Sequence, residues 1–387
     1  MKISPSIVGT LLATRAKTVI AIVVGGHIGA QTRASVEVGQ APRIDVLEIE
    51  TQYQARTFDF TWLEATSHTD RLSRLFSALA RWLGWSAALG ARVSFYFREF
   101  EAVYATGEDV CIPLALCLRL FRRKTPKLIM RLEQPVYGRT PFRRCIYTSL
   151  FRLGISRIDL ILCRTHAHAV YLENTLRVPK AQILVISEPV DTTFFSPDTP
   201  ENANGHLEAI PKPYIFSAGL EMRDYETLIE AVRGLEVSLV IAAGSPWSHF
   251  TFSSGKIDLP ANVLVSSFSR AEMRALYHQA ELVVVAVKPT NRSCGISVVL
   301  ESWAMNKPLV ATKTIGLAEY IEDNVTGRLV EPKNVQAMRA AIVELLENPT
   351  LAARLAENGH HHALQDLRLD QFVFAVGESL SKLAGSS

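Results

Sequence analysis

The stretch Ser293-Cys-Gly295-Ile296-Ser297-Val-Val-Leu-Glu301-Ser-Trp-Ala-Met305 combines a glycine, small hydroxyls and a carboxylate, directly after an apolar run at 282–287 and a short loop. From Ile296 onward the spacing is helical, and Gly295 permits close backbone approach. A helix starting there presents unpaired N–H groups and the positive end of its dipole, which suits a diphosphate. Glu301 lies about one and a half turns further in, with Ser297 about one turn before it on the same face. A carboxylate at that depth can accept hydrogen bonds from the two hydroxyls of a ribose. Spacing alone fits equally a plain loop glycine followed by a solvated glutamate, so both readings stand at this point.

Such a helix needs a scaffold, and the chain supplies the pattern for one. Short β-rich runs alternate with helical runs, which implies parallel sheets with crossover helices. In the first half, strands are expected at 44–49, 93–97, 102–105, 127–132, 160–163 and 183–186, with helices at 70–83 and 113–121. In the second half they fall at 214–218, 238–243, 263–266, 282–287 and 309–312, with helices at 225–232, 270–279 and 335–346. Ser269 and Glu272 have the spacing of a capping box. The expected division is a leader of uncertain order at 1–42, a first Rossmann-like domain at 43–195 and a Pro/Asn/Gly-rich linker at 196–212. A second Rossmann-like domain at 213–367 follows, then a C-terminal helix at 368–387 that crosses back. Two doubly wound α/β domains leave a cleft at the carboxyl ends of their strands, where ligands bind.

Composition narrows the class. A chain of 387 residues suggests two domains, and 48% hydrophobic with 20% charged residues is globular rather than disordered. The net charge of +3 does not suggest nucleic-acid binding, and no basic stretch is interleaved with aromatics in a recognisable module. Five cysteines without a CxxC pair fit a reduced, cytoplasmic compartment. The apolar run 19–28 follows Arg15 and Lys17 and is too short to span a bilayer; it fits a signal-peptide core cut near Ala30, or an unordered leader. Between Arg119 and Arg164 there are twelve Lys/Arg against two acids. Arg139, Arg143, Arg144 and Arg152 flank Phe142, Ile146, Leu150 and Phe151, so the segment Arg119–Arg157 suits an anionic membrane surface as well as a core stripe with a solvated basic face. His360, His361 and His362 are successive helix residues that point around the axis, not toward one ion. With no Asp-x-Asp loop either, neither a metal site nor a cofactor is expected.

The run from Gly295 through Glu301 to Pro308-Leu-Val-Ala-Thr, then Gly316-Leu-Ala-Glu319-Tyr-Ile and Thr326-Gly-Arg-Leu-Val-Glu-Pro332, resembles glycosyltransferase family 4. Further matching stretches are Phe216-Ser-Ala-Gly219 with Arg223-Asp-Tyr-Glu-Thr-Leu-Ile-Glu-Ala231, Ala102 to Ala115, and Leu184 to Pro197. The resemblance is sharp in the second half and diffuse in the first. It implies a GT-B fold and a retaining transfer of sugar from a nucleotide-sugar donor to a glycan, lipid-linked or small-molecule acceptor, in cell-surface polysaccharide or glycoconjugate synthesis.

By this resemblance Glu301 holds the donor ribose, while Gly295, Ile296 and Ser297 line the diphosphate and sugar. Arg223 stands where the family grips the diphosphate, after Gly219, and Ser266 to Phe268 border the base. Ser293 replaces the first glutamate of the family's Glu-x7-Glu pair, Glu133 stands where a histidine is common, and Leu220 replaces an arginine. The expected opening strand, continuing Glu48-Ile-Glu-Thr-Gln, lacks the glycine-rich turn. Glu133, Arg223 and Ser293 are therefore the catalytic candidates. A donor-binding scaffold without turnover is the alternative, and a peripheral position at the inner membrane face follows if the basic segment docks there.

Overall fold

The computed structural model describes residues 20–67, 70–122, 125–133, 141–199, 207–208, 210–244 and 259–385. Short buried apolar runs form two six-stranded sheets, each parallel throughout and covered by helices on both faces. The first contains β1 (Ile20–Val23), β2 (Arg56–Phe58), β3 (Ala102–Ala105), β4 (Lys127–Leu132), β5 (Leu160–Cys163) and β6 (Ile183–Val185), in the order β2-β1-β3-β4-β5-β6. The second contains β7 (Tyr214–Ala218), β8 (Ser238–Ala242), β9 (Val263–Ser266), β10 (Leu282–Val285), β11 (Leu309–Thr312) and β12 (Arg328–Val330), in the order β12-β11-β10-β7-β8-β9. This is the GT-B architecture. Strand order reverses between β1 and β3 in one sheet and between β7 and β10 in the other, and crevices open at such points.

The first sheet does not open at 44–49. Val46 and Ile49, three residues apart, are the buried face of helix Asp45–Tyr53, with Asp45 in its first turn. The opening strand is β1, which lies inside the expected leader; its four residues are buried and pair with β2 on one side and β3 on the other. A central parallel strand is covered on both faces, so it reads as the continuous apolar run that also suits a signal-peptide core. The glycine-rich turn is present as well, as Gly25-Gly26 directly after this strand.

Residues 93–97 are likewise not a strand. They close helix Trp85–Val93 and continue as the 3-10 turn Ser94–Tyr96. Gly90 explains the packing there, since a methyl group on it would stand 2.2 Å from the Val110 carbonyl oxygen of helix Glu108–Leu120. The sixth strand of this sheet is β2, three residues at an edge and too short to show a period.

Two chain crossings lie side by side between the sheets. Val190 N–H donates to Leu367 O, and Leu369 N–H donates to Val190 O. The Asp191 carboxylate beside them accepts from the Arg43 backbone and guanidinium. Helix Leu369–Ala384 then buries Phe372, Val373, Val376 and Leu380 against Ile20, Ile22, Ile49 and Tyr104 of the first sheet's layer. Of the expected linker 196–212, residues 200–206 and 209 lie outside the described residues; Leu207 and Ile210 pack into the second core.

Candidate functional site

Strand β10 ends at the order reversal of the second sheet, and the chain turns there into helix Ile296–Ala304. Gly295 is the N-cap with φ of 95°, and a β-carbon on it would stand 2.9 Å from Val285 Cγ1, so both conformation and space require glycine. No side chain caps this helix, and Ser297 in its first turn is exposed. Its first-turn N–H groups and dipole therefore face the crevice. Glu301 is not a solvated helix residue. It is 6% exposed; its Oε1 accepts from Arg270 Nη2 at 2.6 Å and its Oε2 from the Tyr277 hydroxyl at 2.7 Å.

Gly219 follows β7 with φ of 100°, and Arg223 folds back over it. Arg223 Nε donates to Ala218 O at 2.8 Å and Nη1 to Glu221 O at 3.1 Å, so much of its fork braces the turn. Arg292, from the loop before Gly295, reaches the same turn and pairs with Glu221 Oε1 at 2.6 Å. Burial pushes the Cys294 thiol up to about 11, Glu221 adds to this, and Arg223, Arg292 and Arg164 oppose it. Three guanidinium groups and one carboxylate thus lie within electrostatic reach of the residue before Gly295. At the far end of the sheet Ser266 is exposed at the close of β9, and Phe268 is half-buried against the core.

Ser293 is buried and faces the first domain, with its Oγ 3.5 Å from His168 Nε2. Gly316 presses on it from behind, for a β-carbon there would be 2.8 Å from Ser293 Cα. Glu133, just after β4, stays partly exposed; its carboxylate pairs with Arg164, and its N–H donates to Glu108 Oε2 at 2.8 Å. Arg164 and Arg131 also share Glu188. Burial opposes the Glu188 charge, but the two guanidinium groups outweigh it and hold its carboxyl below the usual range. The Tyr320 hydroxyl accepts the Glu188 N–H and donates to Arg164 O, linking this cluster to the second domain.

Residues 203–362 match the sequence model described as "Glycosyl transferases group 1". Residues 203–362 are thus similar to the group 1 glycosyl transferases. Over 234 residues the chain is 25% identical to a D-inositol 3-phosphate glycosyltransferase of Corynebacterium urealyticum, covering 54% of this chain and 53% of that one. Over 212 residues it is 26% identical to a GDP-mannose-dependent alpha-(1-6)-phosphatidylinositol monomannoside mannosyltransferase of Mycolicibacterium smegmatis, covering 49% and 53%. The chain thus spans about half the length of these curated relatives. In fold it is similar to HepE of Anabaena, solved with UDP and glucose, with a TM-score of 0.68 and 17% identity over 94% of this chain and 99% of that one.

The two segments that follow β7 and β10, which are neighbouring strands, carry Gly219, Arg223, Ser293, Gly295, Ile296, Ser297 and Glu301. Sequence reasoning missed Arg270, Tyr277, Arg292 and His168. Arg270 and Tyr277 were within reach of it, since they sit two turns apart on one face of the helix that the Ser269–Glu272 capping box opens. Asp109 was missed as well. It reaches solvent but lies beneath Gly25 and Gly107, whose β-carbons would stand 2.7 and 2.4 Å from its oxygens. Burial raises its pKa.

The basic segment is less free than its composition suggests. Arg131 and Arg164 form the buried cluster with Glu188, Arg157 pairs with Asp159, and Phe151 is in the core. Arg123, Lys124 and Arg139, and the side chains of Phe142, Arg143, Arg144 and Ile146, lie outside the described residues. The three consecutive histidines diverge, His360 to Trp303 O, His361 to Gln365 and His362 to Asp366. Among the described residues no helix is long and apolar enough to cross a membrane.

Proposed function

We propose that the protein transfers a sugar from a nucleotide-sugar donor to a hydroxylated acceptor in glycoconjugate synthesis. The observation that carries this reading is the placement of Glu301 inside the helix that begins at Gly295, at the order reversal of the second sheet. The relatives support it, for their names include sugar transfer from GDP-mannose, and the HepE structure holds UDP and glucose. The leaving diphosphate accumulates negative charge as the glycosidic bond breaks. The helix start at Gly295, with Arg292 and Arg223 beside it, stabilises that charge in a cleft that excludes water. Retention of configuration is the family's expectation for this arrangement.

The test is a calorimetric and thermal-shift screen of UDP, GDP, ADP and TDP with Glu301→Ala as control. At a hundred times its dissociation constant a ligand stabilises the folded state by about 2.7 kcal/mol. Stabilisation of wild type but not of the variant by one nucleotide is expected; no response to any of them overturns the donor site. Tight binding without turnover on any acceptor supports the scaffold reading, which the replacement of a glutamate by Ser293 favours.

The acceptor side belongs at an anionic membrane surface. Leu72, Leu75 and Leu79 are exposed along helix Arg71–Leu83, which carries no acid, and ring contacts run from Phe76 to Phe95 and on to Phe121. Leu120 is 78% exposed, with Arg119 and Arg122 next to it. Apolar side chains ringed by guanidinium groups suit an anionic lipid surface. Co-sedimentation with phosphatidylglycerol vesicles, lost in Leu75→Glu/Leu120→Glu, is the expected result. Equal sedimentation of the two proteins removes this surface from the reading.

A further inference from the structure

Glu301 receives its two partners from one helix, Arg270–Gln279, which packs beside it. Tyr277 is fully buried, edge-on to Phe195 and Phe216 with ring centroids 5.9 and 4.7 Å away, and its hydroxyl has one fixed position. Arg270 is different. Its guanidinium lies 5.3 Å from the Phe195 ring centre and its side chain is 36% exposed, while the carboxylate it holds is closed off. Burial works against the Arg270 charge, but Glu301 more than compensates, so its pKa lies above the ordinary value.

Each carboxylate oxygen has a second lone-pair direction left after accepting one hydrogen bond. With one oxygen tied to Tyr277 and the other to Arg270, the carboxylate plane is fixed and the remaining acceptor directions are set. We propose that Arg270 is a positioning residue for nucleotide recognition, fixing the Glu301 carboxylate in the orientation that receives the ribose hydroxyls of a nucleoside diphosphate. This rests on the donor-site reading given above and adds to it the residue that sets ribose selectivity. Arg270 acts through Glu301, not on the reacting atoms. The charged and titratable groups around the carboxylate are Arg270 and Tyr277 from their common helix, with Arg223 within electrostatic range of Tyr277. A buried carboxylate without a cation beside it takes up a proton more readily, and a protonated one is a poorer acceptor.

The experiment is calorimetry of wild type, Arg270→Ala, Arg270→Lys and Glu301→Ala with UDP, GDP and ADP and with their 2′-deoxy counterparts, from pH 5.5 to 8. Wild type is expected to prefer the ribonucleotide by about tenfold, the size of one hydrogen bond to a charged group. Arg270→Ala loses most of that preference, and its affinity relative to wild type falls further as the pH is lowered. Arg270→Lys, which keeps the charge, restores the pH behaviour and part of the preference. If Glu301→Ala loses the preference while Arg270→Ala keeps both it and the wild-type pH profile, Arg270 has no positioning role. If Glu301→Ala itself keeps the preference, the ribose assignment of the donor site is wrong and this inference goes with it.

Discussion

The Glu319 carboxylate of the second domain accepts the backbone N–H of Ala167 in the first, at 2.8 Å, and that of His166 at 2.5 Å. It serves as a cap for helix His166–Leu176 from across the cleft, beside the helix's own N-cap Thr165. A negative charge at a helix N-terminus stabilises it by up to about 2 kcal/mol. Because the two partners belong to different domains, this contact holds the cleft in the observed arrangement. Glu319→Ala should lower the thermal midpoint by a few degrees and enlarge the radius of gyration measured by small-angle scattering in the absence of nucleotide. An unchanged radius would show that Tyr320 and the chain crossings hold the domains alone.

His168 and Ser293 meet a few ångströms from that cap, and the imidazole is 3% exposed. Burial, then Arg164, lowers the His168 pKa, and Glu319 only partly offsets them. The unfolded chain therefore binds a proton that the folded chain resists. Stability from this group is present above the ordinary histidine pKa, about 6.5, and is lost as pH falls toward the folded value. Urea unfolding at pH 7.5 and 5.5 should show a loss on acidification, at most about 1.4 kcal/mol per pH unit from one group. His168→Gln should flatten that loss; an identical slope in the variant would assign the acid sensitivity to another group.

Arg223 and Arg292 approach the same turn with different amounts of their forks committed. Arg223 braces the turn at Gly219 through bonds to the Ala218 and Glu221 carbonyls, whereas Arg292 makes one side-chain pair with Glu221. Arg292→Ala is expected to weaken UDP or GDP binding by about tenfold while leaving uridine or guanosine binding unchanged, as the loss of one charge-assisted contact predicts. Arg223→Ala should instead lower stability by about 1–3 kcal/mol, because the turn carbonyls lose their donors. Calorimetry paired with chemical unfolding separates the two, and a reversal of these effects would exchange the two roles.

Much of the second half was legible along the chain because its signals are local. The capping box, the strand that ends before Gly295 and the helix carrying Glu301 all depend on residues within a few positions of one another. The opening of the first half was not. Strand β1 is buried on both faces and so shows no alternation, and only its pairing with β2 and β3 distinguishes it from a leader. The basic segment is only partly legible for a related reason, since composition counts Arg131 and Arg164 but does not see Glu188 between them.

Local pattern along the chain specifies the alternation of strands and helices, the glycine that opens the site helix and the carboxylate about one and a half turns into it. These follow from backbone sterics and helical period, which act over a few residues. What that carboxylate touches follows from long-range packing alone. Arg270 lies 31 positions from Glu301, His168 lies 125 from Ser293, and Ala167 lies 152 from Glu319. Contacts of that separation exist because burying two apolar cores brings the sheets' carboxyl ends together, and no local pattern records which side chains then meet.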